Sequence, residues 1–308
     1  MTERQPQNIT ASIRARLLNL SRQSGEDFQF LLQRYAAERF LYRLGRSTHR
    51  DRFVLKGAML FALWGGSLYR ATRDLDFTAY GSSEAASVRA AIQEICGLAV
   101  ENDGLLFDAA ALTIEPIRDD AEYGGLRINF LALLGNARIP MQIDIGFGNA
   151  VEPPAQDADY PTLLPGPAPR IRAYPHEAVV AEKFHALVVL GDRNSRLKDF
   201  YDLYVLARRF AFEGRDLARA MGATFERRRT PIEGALPSAL TPRFFTDAAR
   251  AEQWRAYLTR NGLPGASADF GAVGEMIQSF LRPVWDALSR QEAFMLHWPQ
   301  SGPWKEMQ

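Results

Sequence analysis

The stretch YRATRDLDF, residues 69–77, sets Asp74 and Asp76 two apart beside Leu75 and Phe77. Acid alternating with apolar residue is the period of a strand, on which residues i and i+2 point to the same face. Leu75 and Phe77 would bury one face, and the two carboxylates would share the other. Two carboxylates so placed repel each other unless a cation lies between them. Mg²⁺, an oxygen-seeking ion that keeps waters and substrate phosphates in its shell, suits such a pair. The alternative is a strand end whose acids pair with Arg70 and Arg73, and D-x-D alone is too common to decide. A later stretch, QIDIGFG (142–148), repeats the design: Asp144 lies with Gln142 on the polar face, and Met141, Ile143, Ile145 and Phe147 lie on the other. If neighbouring strands bring Asp144 beside Asp74 and Asp76, three carboxylates can hold two metal ions. One ion then activates an attacking hydroxyl while the other holds a triphosphate and stabilises leaving pyrophosphate.

A third stretch, residues 175–209, reads as two helices around the turn Gly191-Asp192-Arg193-Asn194. The first carries Val180, Phe184, Leu187 and Val188 as its core stripe, with Lys183 next to it. The second starts near Ser195 or Arg196, with Phe200, Leu203 and Leu206 inward and Arg196, Lys198 and Asp199 in its first turn. Asp199 and Asp202 are neighbours on its surface. Taken alone this is an ordinary helical hairpin with i,i+4 pairs such as Lys198 with Asp202. Lysine is scarce, however: of 37 basic residues only Lys56, Lys183, Lys198 and Lys305 are lysines. An arginine-rich coding bias accounts for most of that, but three of the four fall in chemical stretches, where an ammonium and a guanidinium do different work.

The elements that must position these residues follow from periodicity. Residues 10–45 read as helical, with Phe28, Leu31, Leu32, Tyr35, Ala36 and Leu44 recurring and Arg34, Glu38 and Arg43 between them, facing solvent or a partner. Phe53–Leu55 suits a short strand or helix entry, Ala58–Trp64 about two helical turns, and residues 84–100 a helix. Strand candidates are 111–117, 125–134 and 138–148, the last two joined by a hairpin at Gly135-Asn136-Ala137. Residues 152–175 hold seven prolines and read as a linker or wrapped connection. The pattern beyond is helical, which divides the chain into 1–160, with N-terminal helices and a sheet-bearing core, and a mainly helical 161–308. The tryptophans there read as packing residues and SGPWKEMQ as a loose tail. With 47% hydrophobic and 24% charged residues and a net charge of +1, the chain has the balance of a soluble globular protein and not of a bulk polyanion binder. A single cysteine, Cys96, excludes an internal disulfide. No apolar run approaches the roughly 20 residues that span a bilayer, and the polar N-terminus has no signal-peptide core, so a cytoplasmic location is expected.

In order and spacing, LQRYAAERFLYRL, FVLKGAMLFALW, YRATRDLDF, IDIGFG and AEKFHAL…NSRLKDFYDLY resemble the AbiEii/AbiGii toxin family of nucleotidyltransferases, which includes the MenT-type toxins. The resemblance implies an α+β fold: a DNA-polymerase-β-type core with a small mixed or antiparallel sheet flanked by helices, and a mainly helical C-terminal region that completes the active site. It makes Asp74, Asp76 and Asp144 the ligands of Mg²⁺ or Mn²⁺. It places Gly57, with Lys56 and Ala58, in a phosphate-binding turn, although relatives usually carry glycine or serine after the glycine. It gives Lys183 a nucleotide phosphate, lets Asp199 orient Lys183 or an arginine, and puts Arg70, Thr72 and Arg196 near the nucleotide. The implied activity is transfer of a nucleoside monophosphate from a triphosphate to an acceptor, such as the 3′ end of tRNA, by a toxin with a cognate antitoxin. An RNA acceptor asks for a basic surface, for which Arg34, Arg39 and Arg43, or Arg227-Arg228-Arg229, are candidates. Modification of a protein or small molecule, or nucleotide and RNA binding without catalysis, are the other readings.

Overall fold

The computed structural model describes residues 8–65, 72, 74–117, 124–148, 151–263 and 266–306. It separates into two compact units, one of residues 1–150 with 156–174 and one of residues 151–155 with 175–308. The first opens with α1 (Ile9–Ser24) and α2 (Phe28–Arg46). Asp27 starts α2 by accepting a hydrogen bond from the backbone of Phe30 at 2.9 Å, which satisfies one of the first-turn donors. After β1 (Phe53–Lys56) come a tight turn at Gly57–Met59, α3 (Leu60–Gly65), β2 (Asp74–Ala79) and α4 (Ala85–Gly97). Then follow β3 (Leu105–Ile117), β4 (Gly125–Leu134), β5 (Ala137–Phe147), β6 (Gln156–Asp159) and β7 (Arg170–Ala173).

These strands form one mixed sheet in the order β3-β4-β5-β2-β1-β7-β6. β2 runs parallel to β5 and β1 parallel to β7, while the other pairs are antiparallel. Period-two burial decides which way each strand faces. Leu75 and Phe77 on β2, Ile128 and Phe130 on β4, and Met141, Ile143 and Ile145 on β5 are all buried. Phe40 of α2 packs on Phe107 and Phe130, with ring centroids 6.1 and 6.0 Å away, and so fastens the helix to that face. Asp74, Asp76, Gln142, Asp144, Arg127 and Asn129 are thereby turned to the opposite face. The β4–β5 hairpin closes on Gly135-Asn136, with Leu134 opposite Ala137. Positive φ at Gly135 alone fits a type II′ turn, which matches strand twist.

Two expectations give way here. The proline-rich segment supplies β6 and β7, which extend the sheet, and a division at 160/161 would pass between them; its prolines lie before, between and after the strands, where no ladder donor is needed. Of the arginines of α2, Arg46 is exposed, but Arg34, Arg39 and Arg43 do not face solvent. Arg39 and Arg43 are buried, Arg43 forking onto Asp103 at 2.6 and 3.1 Å and Arg39 donating to Glu38 at 3.2 Å. Arg34 pairs with Glu26 at 2.7 Å. These pairs tie α2 to the chain before β3 and leave little of the expected basic face.

The second unit is helical: α5 (His176–Leu190), α6 (Leu197–Arg209), α7 (Gly214–Arg227), α8 (Pro242–Phe245), α9 (Ala248–Asn261) and α10 (Phe270–Ser289), with a small ladder of β8 (Phe212–Glu213) and β9 (His297–Trp298). Its core is aromatic. Phe184, Phe225 and Trp285 form one cluster, and Phe200, Phe244, Phe245 and Phe270 another. Trp254, Trp285 and Trp298 are fully buried, as packing residues should be. The expected loose tail is instead held through residue 306. Trp304 stacks on Phe280, its N–H donates to the Phe280 carbonyl at 2.9 Å, and Lys305 bridges to His297. Among the described residues no helix is long and apolar enough to cross a membrane.

Candidate active site

Strand register assembles the acids. In the parallel β2–β5 pair Asp76 stands opposite Asp144, and Asp74 opposite Gln142. Across β1, Lys56 stands opposite Asp76. Across β4, Arg127 stands opposite Asp144. One row across four adjacent strands therefore reads Lys56, Asp76, Asp144, Arg127: a cation at each end and two carboxylates between. Side chains opposed in this way sit about 5 Å apart at Cβ, so each carboxylate has one cationic and one anionic neighbour.

Gly57 shapes the end of that row. Its φ is +73°, and a Cβ built there would run into the carboxylate of Asp76. Only glycine takes this backbone comfortably and lets the Asp76 carboxylate pack directly against the turn. Ala58 is buried, so its side chain belongs to the core and only its backbone reaches the turn. Thr72 is half-buried just before β2. Arg70, expected near the nucleotide, and Arg73 lie outside the described residues.

Asp144 is held from one side. Arg127 Nε donates to its Oδ1 at 2.8 Å and Nη2 to its Oδ2 at 2.7 Å, a bidentate pair, and Gln142 Nε2 approaches Oδ1 at 3.4 Å. The pair raises the pKa of Arg127, chiefly through the hydrogen bonds to Asp144, with the charges of Asp74 and Asp76 adding to it. Arg127 escapes a reading by motif, yet the hairpin contains it. Counting back seven residues from Leu134 and forward seven from Ala137 places Arg127 against Asp144.

In the second unit Lys183 lies between two acids of α6, its Nζ 2.9 Å from Asp199 Oδ1 and 2.7 Å from Asp202 Oδ2. Arg196 Nε lies 2.8 Å from Asp199 Oδ2, an ion pair without hydrogen-bond alignment. Asp199 thus contacts both cations that the sequence offered it. Asp202, expected on the surface with Lys198, is fully buried and belongs to Lys183 instead; α5 packs against α6 and brings an ammonium within reach of both acids. The second arginine cluster is also partly committed. Arg228 donates to Nδ1 of the buried His185 at 3.0 Å, so Nε2 carries the ring proton and donates to Thr230 Oγ1 at 2.8 Å. Burial first, and then the charge of Arg228, depress the His185 pKa to about 4.

The donor chemistry of the acidic row fits a hard divalent cation. Three carboxylates share one sheet face, and the missing Cβ of Gly57 gives the Asp76 carboxylate its place against the turn. Among the described residues no three such side chains stand as a finished ligand set; Asp144 is turned toward Arg127.

Comparison with known proteins bears on the fold and the family of the chain. The chain is similar in fold to a crystal structure of a candidate nucleotidyltransferase from H. pylori, with a TM-score of 0.51 and 16% identity over 87% of this chain and 99% of that one. It is similar to the same degree, TM-score 0.51 and 16% identity, to the crystal structure of JHP933 from Helicobacter pylori, over 85% of this chain and 94% of that one. No match is found among curated proteins. The sequence profile of the nucleotidyl transferase AbiEii toxins of type IV toxin–antitoxin systems matches residues 39–276, a span that takes in the acidic row and the Lys183 cluster, and the chain belongs to that family.

Proposed function

We propose that the protein transfers a nucleoside monophosphate from a nucleoside triphosphate to the 3′ end of tRNA at the acidic face of its sheet. The observation that carries this reading is the register that sets Asp76 opposite Asp144, with the Asp76 carboxylate packed against the turn at Gly57. Asp74, Asp76 and Asp144 would hold Mg²⁺ or Mn²⁺. Such ions, when bound, lower the pKa of a coordinated hydroxyl and neutralise phosphate charge. The acceptor hydroxyl loses its proton to solvent as its oxygen forms a bond to the α-phosphorus, the bond from that phosphorus to the β-phosphate oxygen breaks, and pyrophosphate leaves with the electron pair. Lys56, opposite Asp76, supplies a fixed positive charge at the edge of the row. Lys183, oriented by Asp199 and Asp202, is the cation we assign to a nucleotide phosphate, where an ammonium serves as a point charge. Nucleotides added to the tRNA end would block aminoacylation and stop translation, which suits a toxin restrained by a cognate antitoxin.

Labelled transfer tests this. Total tRNA incubated with each α-labelled triphosphate is expected to give a labelled tRNA band that requires Mg²⁺ or Mn²⁺. Label on protein or a small metabolite would move the acceptor, and absence of any labelled product with every common triphosphate would overturn the proposal.

A further inference from the structure

We propose that Arg127 and a divalent cation compete for Asp144, so that Arg127 sets how tightly the acidic row takes metal. This rests on the metal-binding role proposed above for that row. Asp144 stands between two neighbours of opposite sign, Asp76 on β2 and Arg127 on β4. It leans to Arg127, with both of its oxygens accepting from the guanidinium at 2.8 and 2.7 Å. A cation between Asp76 and Asp144 reverses the sign of the Asp76 side and draws the carboxylate the other way. Both partners want the same oxygens, and a guanidinium held beside a dication repels it. Arg127 has somewhere to go: its side chain is 42% exposed, whereas that of Asp144 is 18% exposed. A departing guanidinium therefore reaches solvent, or the phosphates of a bound nucleotide, which it can fork as it forks the carboxylate. Arg127 acts on metal through Asp144 and is in that sense a positioning residue. By reciprocity, whatever Arg127 costs the cation, the cation costs the Arg127–Asp144 pair.

Mn²⁺ titration of the full chain, with free Mn²⁺ read by electron paramagnetic resonance, tests this without any activity assay. Arg127→Gln is expected to tighten Mn²⁺ binding about ten-fold, and Arg127→Lys, which keeps the charge but cannot span both oxygens, to tighten it less. In an Asp144→Asn background the gain should vanish. Unchanged or weaker binding by Arg127→Gln overturns the competition, as does a gain that persists with Asp144→Asn, which would mark a bulk charge effect. If Arg127→Gln does not fold, unchanged affinity of Arg127→Lys overturns it equally. Asp76→Asn separates the two levels of the argument. Wild-type Mn²⁺ binding that ignores Asp76→Asn sinks the metal role of the row and the competition with it. Binding lost in Asp76→Asn but unmoved in Arg127→Gln sinks the competition alone.

Discussion

The two charged clusters use the same residue types and hold them differently. On the sheet, Asp74, Asp76 and Asp144 are half-buried on a polar face, and the Arg127 side chain is partly exposed. In the helical unit, Lys183, Asp199 and Asp202 have side chains 13%, 2% and 0% exposed and meet at hydrogen-bond distance, with Arg196 beside Asp199 as the second positive charge. A pair at the surface gains little and can be exchanged for another partner. A buried ammonium cannot leave two carboxylates without a large desolvation cost. The open row is therefore suited to ligands that come and go, and the closed cluster to holding one lysine in one geometry.

Stability measurements can break that contrast. Lys183→Met takes from Asp199 and Asp202 the ammonium they share in a dry interior, and should cost about 3–5 kcal/mol in urea denaturation. Asp144→Asn should cost about 1 kcal/mol or less, since its partner Arg127 returns to water. Equal costs would mean that the two clusters do not differ in kind.

The two units should also respond oppositely to pH. In the first, burial above all raises Glu38 to about 7, against 4.5 when unfolded, despite the backbone hydrogen bond from Leu163 and the charge of Arg39. Between those values the folded state binds the extra proton, so stability falls as pH rises from 4.5 to 7, by about 3 kcal/mol at most. Glu38→Gln should flatten that fall. In the second unit, burial lowers His176 and His185 to about 4 from 6.5. Their contribution is present above pH 6.5 and is lost as pH falls toward 4. Burial raises Glu177 in the same unit, which acts in the other sense, so the histidine effect is read from His185→Gln, expected to reduce acid sensitivity by about 2 kcal/mol between pH 6.5 and 5. A variant as acid-sensitive as the wild type would remove His185 from the account.

A smaller stability effect is expected at Gly57. Alanine there must adopt positive φ and push Asp76 aside, at about 1–2 kcal/mol. Transfer should fall more than stability does, because Asp76 is displaced from the row. A Gly57→Ala protein with full activity would show that the packing of Asp76 against the turn is not used.

The sequence makes much of the site legible for a physical reason. Strand alternation is local, so Asp74, Asp76 and Asp144 can be assigned to polar faces without any partner. The hairpin at Gly135-Asn136 is local too, and fixes Arg127 against Asp144 for a reader who counts the register. The parallel pairing of β2 with β5 joins residues about seventy apart in sequence and leaves no periodic trace. β6 and β7 hide among prolines that suggest irregular chain. Arg39 and Arg43 fall between the apolar positions of their helix, yet Glu38, beside Arg39 on that helix, and Asp103, supplied by tertiary contact, make their burial tolerable. Asp202 is misassigned to Lys198 for the same reason, since helix spacing predicts neighbours on one helix and is blind to Lys183 arriving from another.

The measurement that bears most directly on the acidic row is α-labelled nucleotide transfer by wild-type protein and Asp76→Asn, side by side, at matched folding by circular dichroism. On the proposed mechanism, loss of the Asp76 carboxylate should lower the rate by about a thousand-fold or more, a barrier increase of about 4 kcal/mol. Transfer by Asp76→Asn at the wild-type rate would contradict the placement of the catalytic centre on this face of the sheet.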